Sequence, residues 1–192
     1  MGQPQTGPMF GARDEGRHDG RPGADLPSER WSFWAGSAAQ PPLLVVHVTL
    51  LPGEGRASFA AALRLRPTYA VVLVAADLPM PRRGIELRGP GIWADHNVEE
   101  PFERWSLGLE AFGVGLEVGE GDDLEVLLAR SGSPDLRGDR APMGWDLEWT
   151  STGAVVADGP SAYRVECRVE GELLVQSEAL EIDVGGGREH VW

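Results

Sequence analysis

The sequence predicts an all-β protein, an antiparallel barrel or sandwich of about eight to ten strands behind a disordered N-terminal arm, and three observations carry the prediction. Short apolar runs recur along the chain between breaks rich in glycine and proline. In the last third those runs alternate strictly: Trp145, Leu147 and Trp149 with Asp146 and Glu148, then Tyr163, Val165, Cys167 and Val169 with Arg164, Glu166, Arg168 and Glu170. A period of two sends one set of side chains to a core and the other to water, as in a half-buried strand. Finally, no long stretch carries the 3.6-residue apolar period of an amphipathic helix, which leaves regularly spaced strands as the organising unit.

Taken in order, Met1 to Glu29 is rich in Gly, Pro, Asp and Arg, with only Met9, Phe10 and Leu26 as large apolar residues after Met1. Such a segment buries too little surface to offset its ordering entropy, so residues 1–30 are expected as an arm and 31–192 as a single β domain. Trp31-Ser32-Phe33-Trp34 opens the folded part as a first strand or as the plug of a barrel mouth, and Ser37 to Pro42 breaks it. Leu43 to Leu51 is too uniformly apolar to alternate and is expected to be covered on both faces. Pro52-Gly53-Glu54-Gly55 turns the chain into Arg56 to Arg66, and Thr68 to Ala76 follows as a third strand. The prolines of Asp77 to Gly84 make it a crossing loop. Ile85 to Arg88, Gly91 to Val98 and Trp105 to Val118 are extended, with Gly108, Gly113 and Gly115 available for the bend that a closing sheet needs. Leu124 to Ala129 reads as a short helix or strand, and Arg130 to Arg140 as a polar loop. Glu170-Gly171-Glu172 is expected to turn the chain into Leu173 to Gln176, Ala179 to Val184 to close the set, and Gly185-Gly186-Gly187 to form a flexible turn.

Composition narrows the function. The chain has 192 residues, 42% of them hydrophobic, enough for one good core. A formal charge of -13 argues against nucleic acid or an anionic membrane as partner, since both demand basic patches. Every basic residue is arginine, so Schiff-base chemistry and a phosphate-loop lysine are excluded. One cysteine, Cys167, allows no intramolecular disulfide and no multi-thiolate zinc site, and its place on an inward strand face suits an inert packed thiol. No run of about 18 apolar residues is present, and the start lacks the apolar centre of a secretory signal. A cytoplasmic protein with no membrane span, no metal and no cofactor is expected.

The densest concentration of proton-handling groups is Gly91-Ile92-Trp93-Ala94-Asp95-His96-Asn97-Val98-Glu99-Glu100-Pro101, answered by Trp105 to Glu110. In extended chain Asp95 and His96 face opposite ways. Glu110 stands beside one or the other depending on the hairpin register, which a slip of one residue reverses. The candidate catalytic residues are Asp95, His96, Glu99 and Glu110, a carboxylic acid for protonation with an imidazole as base or orienting group. Trp93, Trp105, Trp145, Trp149 and Phe112 are the candidate ligand-binding residues, because seven tryptophans exceed what packing one modest domain requires. His47 reads as a satisfied core histidine.

Trp93-Ala94-Asp95-His96, Glu99-Glu100-Pro101-Phe102 and Trp105 to Ala111, together with Trp145 to Trp149 and the terminal Arg188-Glu189-His190-Val191-Trp192, resemble the hydroxyneurosporene synthase (carotenoid hydratase) and AttH-like lipocalin-related superfamily, in its actinobacterial branch. The resemblance implies a lipocalin-like antiparallel domain around an apolar pocket. It implies as ligand an apolar small molecule, terpenoid, steroid or polyketide-like, either hydrated or cyclised by pocket acids (a lyase, cyclase or isomerase) or simply carried. Relatives in that superfamily have two such domains and this chain has room for one, which brings in a homodimer as a way to complete the pocket. A structural or interaction module is the further alternative.

Overall fold

The computed structural model describes residues 10–19, 26–36, 44–119, 121–131 and 138–192. Their strands are β1 (Glu29–Ala35), β2 (Leu44–Leu51), β3 (Arg56–Arg66), β4 (Tyr69–Pro79), β5 (Ile85–Gly89), β6 (Ile92–Glu100), β7 (Arg104–Glu117), β8 (Asp139–Ser151), β9 (Val156–Ala157), β10 (Ala162–Val175) and β11 (Glu178–Val191), with one helix, α1 (Leu124–Ser131). All belong to one antiparallel sheet in the order β4-β3-β2-β1-β11-β10-β8-β7-β6-β5, with β9 beside β10. Tyr69 to Val72 of β4 also pair with Val114 to Glu117 of β7, which closes the sheet into a barrel. The expected antiparallel β architecture is therefore the one observed.

β7 is the strand that makes closure work. One of its edges pairs with β8 from Arg104 to Gly115. Its other edge pairs with β6 as far as Ala111 and then with β4 from Val114. At the changeover, a Cβ on Gly113 would lie 2.7 Å from Val71 Cγ1, and one on Gly115 would lie 2.2 Å from the Tyr69 hydroxyl. Only glycine lets β4 approach this closely.

Alternation then fills the barrel. Trp31, Phe33, Phe59, Trp105, Leu107, Trp149, Tyr163 and Val165 are buried in one continuous core, each large side chain contributing about 1.5–3 kcal/mol by leaving water. A second, smaller core lies outside the barrel wall. There Leu124, Leu127 and Leu128 of α1 cover Val45, Ala62, Ala70 and Val72, which explains why β2 is too apolar to alternate. Asp123 caps the helix by accepting from the Glu125 N–H at 2.8 Å. His47 faces outward to α1, its Nε2 2.8 Å from Glu125 and its Nδ1 3.0 Å from Ser32 Oγ, so it ties the helix to the wall. Among the described residues no helix is long and apolar enough to cross a membrane.

Several local expectations change. Asp77 to Pro79 continue β4 instead of leaving it as a loop. Leu124 to Ser131 is the helical alternative. Gly171, at φ 131°, is a bend inside an unbroken β10, where a Cβ would lie 2.2 Å from Asp146 O; the reversal into β11 comes later, with Gln176 at φ 56°. Gly185 to Gly187 are not a turn but part of β11, paired with both β1 and β10. Those glycines serve close approach: a Cβ on Gly186 would sit 2.2 Å from Trp34 O, whereas one on Gly185 would meet nothing within 4 Å. Gly186→Ala is therefore expected to cost about 1–3 kcal/mol by overpacking, with Gly185→Ala close to neutral, as read from urea denaturation midpoints. The breaks expected at Ser37 to Pro42 and over most of Arg130 to Arg140 lie outside the described residues.

The N-terminal segment differs most from its composition. Residues 10–19, expected within the arm, are seated at the end of the barrel where β1 begins and β11 finishes, with Phe10, Glu15 and His18 buried. Phe10 packs on Tyr163 and Trp192 at ring separations of 5.3 and 5.6 Å. The rest of the attachment is made by polar residues, including His18 stacked on Trp192, a kind of docking that apolar content does not register.

Candidate functional site

The register of the β6–β7 pair decides which candidate residues meet. Trp93 pairs with Glu110, Asp95 with Gly108, His96 with Leu107 and Asn97 with Ser106. Glu110 therefore shares the outer face with Asp95 and Trp93, while His96 turns inward with Ala94 and Leu107, and no His96–Glu110 pair forms. The outer carboxylates engage neighbours on their own surface: Asn97 Nδ2 donates to Asp95 at 2.9 Å, and Ser106 Oγ donates to Glu99 at 2.6 Å. Trp93 lies over Gly108, whose missing side chain makes room for the indole, and its Nε1 donates to Glu86 at 3.1 Å. Trp93, Glu110, Phe112, Pro142 and Leu174 border an open trough of about 590 Å³ on this outer face, with Phe112 44% exposed.

Inside the barrel the remaining candidates do converge. Trp105, Trp145 and Trp149 pack in the interior with Phe33 and Phe59. Phe33 lies 5.3 Å from Trp105 and 5.6 Å from Trp149 between ring centres. His96, 2% exposed, sits between Phe33 and Phe59 at 5.8 and 5.9 Å. Among the described residues neither of its ring nitrogens has a partner, and neither has Nε1 of Trp145, which packs 6.5 Å from the same Phe59. Burial without a countercharge holds the His96 imidazole far below its ordinary range, at about 3, so it is neutral. A neutral imidazole offers one donor and one acceptor, and a buried pair of that kind without partners costs on the order of 1–3 kcal/mol per group.

The seated end of the barrel holds a set of charged groups that the sequence reading did not assemble. Glu15, from the N-terminal segment, meets Arg188 of β11 at 2.6 Å and also accepts from Trp105 Nε1; both charged side chains are fully buried. Beside this pair, burial first and the Glu15 charge second push the Tyr163 phenol up. Burial likewise raises the Cys167 thiol to about 11, consistent with an inert packed sulfur. A second group joins His18, Glu29 and His190 around one carboxylate oxygen, with His18 Nδ1 at 2.7 Å and His190 Nε2 at 2.9 Å. Burial alone would raise the Glu29 carboxyl, but its hydrogen bonds to the two histidines prevail and hold it at about 2. Burial pushes His190 down despite the neighbouring carboxylate.

One signal in the sequence pointed here. The alternation that buries Ile182 and Gly186 also turns Arg188 and His190 inward, and a buried guanidinium requires a carboxylate. What could not be read was that the carboxylate comes from residue 15, 173 positions earlier. The family model for the Domain of unknown function (DUF7064) matches residues 11–192, so its span includes the seated segment with Glu15 and His18. No curated protein and no solved structure matches the chain.

Proposed function

The chain belongs to the DUF7064 family, and we propose that its barrel takes up an apolar small molecule that carries a single polar group, with His96 and Trp145 as its polar contacts in the aromatic interior. The observation that carries this reading is His96: a neutral imidazole with both nitrogens unpartnered among Phe33 and Phe59. Such a group is costly in a filled apolar core and useful where a ligand hydroxyl or carbonyl completes it. The resemblance of Gly91 to Glu110 to the hydroxyneurosporene synthase and AttH-like superfamily supports the same ligand class, a terpenoid, steroid or polyketide-like compound.

Binding without turnover is the reading the geometry favours. Asp95, Glu99 and Glu110 lie on the outer face, so an acid from that set and the inward His96 do not act on one bound molecule. Glu15 and Glu29, on the inner side, are engaged by Arg188 and the two histidines.

The test pairs two ligands with one substitution. Protein purified from its own host is examined by native mass spectrometry for a co-purified apolar compound. Tryptophan quenching is then titrated with a C20 isoprenoid alcohol and with its parent hydrocarbon. His96→Leu is expected to weaken alcohol binding about tenfold, the value of one buried hydrogen bond, while leaving the hydrocarbon unchanged. Equal affinities of wild type and His96→Leu for the alcohol, or no saturable quenching by either compound, would sink the proposal.

A further inference from the structure

The His18–Glu29–His190 group has a geometry that neutral imidazoles do not satisfy once Glu29, whose carboxyl is held low by its hydrogen bonds to the histidines, is ionised. His190 Nδ1 lies 3.0 Å from the backbone carbonyl of Asp14, and its Nε2 lies 2.9 Å from Glu29 Oε1. Both neighbours are acceptors only. A neutral imidazole has one N–H, so whichever nitrogen carries it, the other directs a lone pair at an oxygen. The contact is relieved by a cation between ring and carboxylate. Such a cation would share Glu29 Oε1 with both rings, since His18 Nδ1 converges on the same oxygen at 2.7 Å.

The three donor atoms are also spaced as the ligands of a single metal ion would be. They all lie within 4.8 Å of one another, on side chains that are 2%, 0% and 1% exposed for His18, Glu29 and His190. Nitrogen and oxygen ligands about 2.1 Å from an ion are about 3 Å apart when they subtend a right angle, close to the separations seen here. The outer contacts fit as well. A ligating histidine ordinarily gives its other N–H to a carbonyl or carboxylate, which fixes tautomer and ring orientation. His190 Nδ1 faces the Asp14 carbonyl, and His18 Nε2 lies 3.5 Å from Asp14 Oδ1. Each ring is held flat against an indole, His18 on Trp192 at 4.2 Å and 11°, His190 on Trp31 at 4.3 Å and 17°.

We propose that His18 Nδ1, Glu29 Oε1 and His190 Nε2 bind one divalent first-row transition-metal ion, which fastens the segment 10–19 across the β1–β11 seam. Two imidazoles and a carboxylate with no thiolate suit Zn²⁺, Co²⁺, Fe²⁺ or Mn²⁺ and disfavour Ca²⁺ or Mg²⁺, which take oxygen ligands. The ligands come from three places in the chain, the N-terminal segment, the start of β1 and the end of β11, so the ion closes a loop that includes most of the domain. This site is independent of the ligand-binding reading and stands if that reading fails.

The test uses the full chain, stripped with a chelator and titrated with Co²⁺, whose visible absorption reports nitrogen and oxygen coordination directly. One equivalent is expected to bind. Zn²⁺ at 100 times its dissociation constant is expected to raise the melting temperature by about 5–10 °C, and to slow tryptic cleavage at Arg13 and Arg17. His18→Gln changes a buried residue outside the barrel strands, and circular dichroism checks that it folds; it is expected to weaken Co²⁺ at least tenfold and abolish most of the thermal shift. His47→Gln, which removes the histidine on the outer wall, should retain one equivalent. Overturning results are a melting temperature indifferent to stripping and to Zn²⁺ with no stoichiometric Co²⁺ spectrum, which would leave a proton as the bridging cation, or Co²⁺ affinity unchanged in His18→Gln.

Discussion

Glu15→Ala is expected to lower the unfolding free energy by about 3–5 kcal/mol, the largest single effect of a polar substitution in this protein. The Glu15 and Arg188 side chains are 1% and 3% exposed and meet at 2.6 Å. Without the carboxylate, the guanidinium stays in the barrel with no carboxylate partner among the described residues and a long contact to Ser151 Oγ at 3.5 Å, and Trp105 Nε1 loses its acceptor. The penalty is that of a buried charge left alone, and it exceeds the net value of the ion pair. For that reason Glu15→Leu combined with Arg188→Met should recover most of the loss, since apolar groups of similar volume need no partner. A double-mutant cycle by urea denaturation measures both quantities. A loss below about 1 kcal/mol for Glu15→Ala would mean that the N-terminal segment does not dock as described.

Acid should destabilise the protein through His96. The imidazole titrates at about 3 in the folded chain, and an unfolded histidine titrates near 6.5. Between those values the unfolded chain holds a proton that the folded chain does not, so stability falls as pH drops. The slope from this one group is about 1.4 kcal/mol per pH unit, or about 2 kcal/mol between pH 6.5 and pH 5. The group around His96 is aromatic, Phe33 and Phe59, with no carboxylate among the described residues to receive a charged ring. Comparing wild type with His96→Leu at pH 7.5 and pH 5 isolates the term from every other titration: the variant should gain about 2 kcal/mol relative to wild type at the lower pH. An equal stability difference at both values would show that His96 is hydrated.

The strand pattern was legible because it is local. Trp145 to Trp149 and Tyr163 to Val169 alternate, and their apolar members are the buried ones. The uniformly apolar β2 announced a second covering layer, which α1 supplies. Glycine was harder to read. Gly171 and Gly185 to Gly187 carry the same composition as turns, yet they sit within strands, where the approach of Asp146 O and Trp34 O excludes a Cβ. A sequence shows that a side chain is missing and not whether the reason is a reversal or a close neighbour.

The candidate site was legible only in part. Trp105, Trp145, Trp149 and His96 do line one interior, whereas Trp93, Phe112, Asp95, Glu99 and Glu110 lie on the other face of the same strands. Each strand's two faces could be written down from alternation alone. Which residue of β7 stands opposite which residue of β6 could not, because a shift of one position exchanges the faces without altering either strand's pattern.

By itself the sequence determined an antiparallel β domain, the alternating faces of Trp145 to Trp149 and Tyr163 to Val169, and an acidic, lysine-free composition. The tertiary structure alone decided that Glu110 stands away from His96, and that Glu15 and His18 enter the barrel end to meet Arg188, Glu29 and His190. The physical reason is range: alternation is a property of neighbours two positions apart, but pairing a buried charge across 173 residues is a property of the closed sheet that desolvates it.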